Sequence, residues 1–226
     1  MQTWLNEWFP YVMKKPDQFL QSIEETLIMI AWAGGLMLLF GLFFGIVLTV
    51  TREGGIMECK IVYHILDKVI NLFRSIPFVI LIAVLMNLTK WLMGTRIGVR
   101  GVIVPLVFGS VPFFARQVEA ALWGVDRGLV EAAQAMGVRP LGIVFRVYLR
   151  EGLPALSRGA TITLISLVGL TAMAGDVGAG GLGDYAITYG YNYNRTDIVW
   201  AAVIAIVIIV SLIQVIGSLI AKKNTH

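Results

Sequence analysis

Few residues of this chain could do chemistry, and they do not assemble a catalytic motif. Its 226 residues include two histidines, His64 and His226, and one cysteine, Cys59. The sequence has neither the His-Glu-x-x-His spacing of zinc proteases nor the Gly-x-Ser-x-Gly turn of serine hydrolases. No lysine follows a glycine, so the Gly-Lys core of a phosphate-binding P-loop is also missing. We therefore predict no catalytic residue, metal ligand or cofactor in this chain, and expect any ATP to be bound by another polypeptide.

The segment 178–183 does fit one chemical motif, the Gly-x-Gly-x-x-Gly of dinucleotide-binding loops. That loop requires a β-strand before it and a helix after it. Here an apolar segment long enough for a membrane helix precedes the glycines, so we reject a nucleotide site. Five glycines between Gly175 and Gly183 instead predict irregular backbone in close contact with other backbone. At membrane depth such backbone is tolerated inside protein or along a water-lined cavity, as in transport pathways.

Composition identifies the elements around these glycines as membrane helices. Apolar residues make up 58% of the chain and charged residues 14%, whereas soluble proteins carry roughly 25% charged residues. The net charge of +4 is explained by basic residues that flank apolar segments. We predict an all-α, polytopic membrane protein with a single transmembrane domain over residues 1–226. Its five predicted spans are 20–50, 69–89, 101–122, 159–175 and 196–222.

The basic residues also orient the predicted spans. If the N-terminus is outside and the C-terminus inside, most lysines and arginines lie on the inner side, as the positive-inside rule requires. This topology places the charged loop 126–151 in the cytoplasm. Residues 1–19 are predicted to form an interfacial segment, because Trp4, Trp8 and Val12 share one helical face. A frayed terminus with chance aromatic residues is the alternative.

The loop 126–151 carries the pattern of two short helices. Asp126 is suited to cap the first helix, and Gly137 to end it in a left-handed conformation. Leu141, Phe145 and Tyr148, with Val144 and Leu149, fall on one face of the second helix. Its arginines fall largely away from that face. One interpretation is that the loop is an amphipathic connector that lies on the lipid headgroups. The alternative is that the loop is a docking element that a partner protein binds.

The first of these helices resembles a known family. Glu131-Ala132-Ala133, followed by Gly137, is similar to the EAA loop of bacterial ABC-importer permeases. The sequence departs from the family pattern at Arg150, where proline is usual, but the core is intact. The resemblance implies that the loop is a coupling element for a separate ATPase. The residues assigned to this coupling are Glu131, Ala132, Ala133, Ala135, Met136 and Gly137.

Further segments narrow the resemblance to methionine-importer permeases. Residues 172–175 (Ala-Met-Ala-Gly), 177–183 and 189–191 look like that group, and residues 73–78 look like the Arg-x-x-Pro element of amino-acid permeases. The resemblance implies a homodimer in the bacterial cytoplasmic (inner) membrane. It also implies two ATPase subunits that bind ATP and magnesium, an extracytoplasmic binding protein, and inward transport of L- and D-methionine by alternating access. Import of another polar amino acid remains an alternative.

Met173 precedes the glycine-rich segment and is long, flexible and apolar. We hypothesise that two copies of Met173, one per subunit, form part of a gate. The pathway beside it would be lined by Gly175, Gly178, Gly180 and Gly181. Simple core packing is the alternative for a single methionine.

The predicted inner spans also carry structural residues. Pro77 is expected to kink the second span. Arg74 either extends to the inner headgroups or supports the coupling region. Arg116 and Glu119 are three residues apart and can pair on one helix face. A secondary transporter would need such ionisable residues as an ion relay, but these lie near the predicted cytoplasmic side.

Overall fold

The chain forms helices throughout the part that the structure, a computed structural model, describes, residues 7–223. No β-strand occurs within that range, so the all-α prediction is confirmed. A π-helical turn follows α7, two more follow α9 and α10, and a short 3₁₀ turn precedes α11. The α-helices are α1 (Pro10–Lys14), α2 (Pro16–Thr51), α3 (Lys60–Ser75), α4 (Phe78–Met93), α5 (Gly98–Trp123), α6 (Arg127–Ala135), α7 (Pro140–Ile143), α8 (Leu149–Glu151), α9 (Leu153–Ala174), α10 (Gly181–Asp184) and α11 (Thr196–Lys223).

Four of the described helices are long and apolar enough to cross a membrane. They are α2, α5, α9 and α11, and each contains most of one predicted span. A fifth candidate is the pair formed by α3 and α4, if the two together count as one bent span. The structure therefore supports the expected number of spans only when this pair is included.

The second predicted span, 69–89, is not one kinked helix, so this prediction was wrong in detail. The axes of α3 and α4 meet at 112°. Ile76 is extended, with φ −83° and ψ 122°, as expected for a residue before proline. Pro77 caps α4, and its carbonyl accepts from the Leu81 N–H at 2.9 Å. The proline thus ends one helix and begins another.

The described residues group into two compact units, each drawn from three stretches of the chain. The first unit comprises 1–35, 77–108 and 164–213, and the second comprises 36–76, 109–163 and 214–226. The single-domain prediction is untested by this grouping.

An apolar cluster in the first unit holds the N-terminal helix α1. Val12 is buried there beside Leu182, Tyr185 and Ile198. Trp8 remains exposed, and Trp4 lies outside the described residues. The segment 1–19 therefore does more than lie in an interface, because part of it packs on protein.

Small residues bring the helices of the second unit close together. A Cβ added at Gly45 would lie 2.4 Å from the Val118 Cβ, and one at Gly41 would lie 2.6 Å from the Phe114 ring. Gly41 and Gly45 form a Gly-x-x-x-Gly stripe on α2, which allows α5 to approach closely. This contact fixes the helix from which the coupling loop begins.

Candidate functional site

The first helix of the coupling loop, α6, is capped at its N-terminus as predicted. The Asp126 carboxylate accepts from the Gly128 N–H at 2.8 Å. This bond satisfies one of the N–H groups that a helix leaves unpaired in its first turn. Glu131 lies in the second turn of α6, beyond the turn where the helix dipole acts most strongly on a carboxylate.

The C-terminus of α6 is closed by Gly137, also as predicted. Gly137 has φ +74° and its N–H donates to the Gln134 carbonyl at 2.9 Å. The next N–H, of Val138, donates to the Ala133 carbonyl at 3.1 Å. This pair of bonds is the Schellman arrangement, which needs a left-handed residue after the helix. Both ends of α6 are therefore fixed by residues of the loop itself.

The residues assigned to coupling do not all face outward. Ala133 is 5% exposed and packs inward, together with Val130. Ala133 therefore anchors the helix, and its assignment to coupling stays a prediction. The members of the set that are exposed are Glu131, Ala132, Ala135, Met136 and Gly137.

The apolar face predicted for the second helix was wrong in part. Val144 and Tyr148 are buried together, but Leu141 and Phe145 are 68% and 66% exposed, and Ile143, which was not assigned to that face, is buried. The cause is the π-helical turn Val144–Tyr148, in which hydrogen bonds join residues five apart. This wider turn brings Ile143 onto the inner face with Tyr148, and leaves Leu141 and Phe145 outside.

The inner and outer faces of this loop differ in chemistry. Burial raises the pKa of the Tyr148 phenol, although the Arg127 guanidinium opposes the shift. Outside, Met136 is 75% exposed, so large apolar side chains project from both helices of the loop. Exposed apolar groups of this size outside the predicted spans are typical of protein contact sites. We call Glu131, Met136, Leu141 and Phe145 the coupling surface.

The glycine-rich turn, residues 175–183, has the irregular backbone that the sequence predicts. Gly178, Gly180 and Gly181 have φ between +80° and +86°. A Cβ at Gly175 would lie 2.2 Å from the Asp184 nitrogen, and one at Gly183 would lie 2.2 Å from the Ala172 carbonyl oxygen. Only glycine permits backbones to pack so closely. The segment before the turn is the helix α9, which is incompatible with a dinucleotide-binding unit.

Two polar residues of α2 hold the end of this turn, and no local sequence pattern indicates them. The Glu25 carboxylate accepts from the Gly181 N–H at 2.7 Å. The Thr26 hydroxyl accepts from the Leu182 N–H at 2.8 Å. These acceptors cap α10 from 156 residues away in the chain. Met173 is 46% exposed beside the turn, and its role in a gate stays a prediction.

The four residues predicted to have structural roles differ in their burial and in their contacts. Arg116 donates to the Glu119 carboxylate at 2.7 Å, so this predicted pair is confirmed. Glu119 is 6% exposed. Arg74 is exposed in the last turn of α3, where a cation suits the helix dipole, and Pro77 caps α4.

Comparison with known proteins identifies the family. Residues 37–224 match the family described as binding-protein-dependent transport system inner membrane component. The chain is 40% identical over 220 residues to the probable D-methionine transport system permease protein MetI of Vibrio cholerae, with 97% of this chain and 96% of that protein covered. It is 46% identical over 175 residues to the methionine import system permease protein MetP of Bacillus subtilis, with 77% and 79% covered.

A solved structure agrees with these relatives. The chain superposes on a crystal structure of the MetNI methionine ABC transporter in an inward-facing conformation with a TM-score of 0.91. The two are 42% identical, and the match covers 94% of this chain and 99% of that one. The chain therefore belongs to the family of inner membrane components of binding-protein-dependent transport systems.

Proposed function

We propose that this chain is the membrane-spanning permease subunit of an ATP-driven importer of methionine in the bacterial inner membrane. The observation that carries the proposal is the 40% identity to a D-methionine permease over nearly the full length of both chains. The superposition on the MetNI transporter extends the likeness to the fold. In this role the chain is not an enzyme, since ATP with its magnesium is bound and hydrolysed by a separate subunit.

The coupling surface is the part of the chain that would receive the ATPase. Its helix α6 is closed at both ends by the Asp126 cap and the Gly137 stop. A helix fixed in this way can transmit a push without unwinding. The exposed Met136, Leu141 and Phe145 side chains offer apolar area to a groove on the ATPase. Two copies of the chain with two ATPase subunits would then rock between inward- and outward-open states.

The glycine-rich turn is our candidate for the transport pathway. Met173 is exposed next to backbone that departs from regular helix at Gly178 and Gly180. With the N-terminus outside and the C-terminus inside, this turn would lie toward the side from which a binding protein delivers substrate. If Met173 is part of a gate, Met173→Ala should raise ATP hydrolysis in the absence of substrate. Unchanged hydrolysis together with unchanged uptake would contradict the gate.

Substrate competition in liposomes tests the proposed transport. The purified permease–ATPase complex is reconstituted with its binding protein outside and ATP inside. We expect uptake of labelled methionine that depends on ATP and is displaced by unlabelled L- or D-methionine. Uptake of another amino acid that methionine does not displace would overturn the methionine assignment.

A further inference from the structure

We propose that a relay of polar side chains fixes α3 to the coupling helix α6, so that the two move as one body during transport. The relay consists of Arg127, Trp123, Arg52, Glu119, Arg116 and Asp67, all of which belong to the second unit. The inference rests on the proposed function, because it assigns these residues a task in passing on movement of the coupling helix.

The centre of the relay is the buried pair on α5. The Glu119 side chain is 8% exposed and the Arg116 side chain 18% exposed. Glu119 also lies 3.8 Å from the Arg52 guanidinium and accepts from the Tyr63 hydroxyl at 3.1 Å. Two hydrogen-bond donors, Arg116 of α5 and Tyr63 of α3, and the Arg52 cation after α2 therefore converge on one carboxylate. Such convergence fixes the direction of each partner in a way that an apolar contact does not.

The relay reaches α3 through the Tyr63 hydroxyl, which donates to Glu119, and through Arg116. The Arg116 guanidinium forms a hydrogen-bonded ion pair with the Asp67 carboxylate, and donates to the Asn71 side-chain oxygen at 3.1 Å. Asp67 and Asn71 are one helical turn apart, so the guanidinium binds two side chains on the same face of α3. An arginine holds such a face more rigidly than a lysine, because its donors form a planar fork.

These polar contacts add to a small apolar contact of α3. Among the residues of α3, all of which the structure describes, only Ile70 is buried, and Tyr63 and Leu66 pack partly buried against the same cluster. The apolar residues Ile61 and Ile65 are 73% and 60% exposed. The charged partners therefore add to a limited apolar contact in holding the helix in place.

The other end of the relay is an arginine–tryptophan–arginine stack. The Trp123 ring lies 4.4 Å from the Arg52 guanidinium carbon and 4.8 Å from that of Arg127. Arg127 is the first residue of α6 and also donates to the Gly54 carbonyl at 3.4 Å. The quadrupole of an aromatic ring attracts a cation that lies over the face of the ring. The stack thus joins the coupling helix to the ion pairs around Glu119.

The positive and negative charges at the centre of the relay are balanced. Arg52 and Arg116 are balanced by Asp67 and Glu119. Removing one partner from such a buried group leaves an uncompensated charge, whereas exchanging both keeps the balance. Loss of either Arg116 or Asp67 should therefore disturb the relay beyond the single contact that is removed.

Distances between spin labels test the relay directly. One label is placed on the exposed native Cys59 beside α3, and the other on Gln134→Cys in α6. Complexes with one labelled copy are measured with the ATPase bound, without nucleotide and with a non-hydrolysable ATP analogue. We expect one narrow distance, equal in both states, in the unmodified relay. Asp67→Asn, which keeps the side-chain shape, should give a broader distance that changes with nucleotide.

A second variant that interrupts the relay and a matched control complete this test. Trp123→Leu removes the aromatic ring at the α6 end of the relay and should have the same effect on the label distance as Asp67→Asn. Lys68→Gln removes an exposed charge from α3 outside the relay and should leave the distance unchanged. Methionine uptake per ATP hydrolysed should fall roughly five- to tenfold in both relay variants.

The result that overturns the relay is an unchanged narrow distance in both nucleotide states for both relay variants. Failure of the proposed function gives a different result, since the unmodified complex would then import no methionine. The label distances require only the assembled complex, so they judge the relay in either case.

Discussion

The coupling helix α6 and the glycine-rich turn are both shaped by left-handed glycines, yet they are held in different ways. At the end of α6 the Gly137 N–H donates to the Gln134 carbonyl and the Val138 N–H to the Ala133 carbonyl, all within one short loop. The turn 175–183 needs glycines for close backbone contacts, and its far end is capped by Glu25 of α2. The first is a self-contained part that a partner can push. The second depends on its neighbours and will change when they move.

The largest expected effect concerns the close backbone contacts of the turn. Gly183→Ala would place a Cβ against the Ala172 backbone, which cannot move aside without shifting α9. We expect a loss of stability of about 3 kcal/mol or more, seen as a lower unfolding temperature and lower yield in detergent. The control is Gly169→Ala on α9, the helix of Ala172, because a Cβ added at Gly169 meets nothing within 4 Å. Equal stability of the two variants would contradict the close contact.

The next effect breaks the end of the coupling helix. Proline cannot adopt the φ of +74° at Gly137, and it removes the N–H that bonds Gln134. We expect Gly137→Pro to cost about 3 kcal/mol locally and to abolish copurification of the ATPase while the spans stay folded. Gly137→Ala, whose Cβ meets nothing, should cost about 1 kcal/mol. Retention of the ATPase by Gly137→Pro would argue against docking through α6.

A smaller effect is expected at the distant cap of the turn. Glu25→Ala leaves the Gly181 N–H without its acceptor, which should cost about 1–2 kcal/mol. Glu25→Gln keeps an acceptor oxygen and should lose less. Thermal unfolding and methionine uptake of the two variants measure the difference. Glu24→Gln, on the exposed side of α2, is the matched control and should behave as the native chain.

The smallest effect is expected at the local cap of the coupling helix. Asp126→Ala removes the acceptor for the Gly128 N–H and should cost about 1 kcal/mol. Asp126→Asn keeps that acceptor and should be nearly neutral. The affinity of the permease for its ATPase reports the difference. An equal loss of affinity for Asp126→Asn and Asp126→Ala would show that the charge, rather than the cap, matters there.

Predictions from sequence succeeded where the determining contacts are local. Asp126 and Gly137 act within one or two turns of their own helix, and Arg116 meets Glu119 three residues away. The long spans were also found, because about 20 consecutive apolar residues are a strong signal.

Predictions failed where distant residues or an altered helix decide the result. The π-helical turn Val144–Tyr148 places Ile143 on the inner face and leaves Leu141 and Phe145 outside. A helical spacing of 3.6 residues does not predict this arrangement. Ile76, forced into extended backbone by the following proline, turned the expected kink into a break of 112°. The contact of Asp67 with Arg116 joins residues 49 positions apart, so no local pattern indicates it.

Coupling through α6 is tested by the amount of methionine imported per ATP hydrolysed by purified complexes in liposomes. We expect ATP-driven methionine uptake by the native permease. For Gly137→Pro we expect neither uptake nor a bound ATPase, although that variant is inserted and folded. ATP hydrolysis without methionine import by the native complex, or import by Gly137→Pro at the native rate, would contradict coupling through this helix.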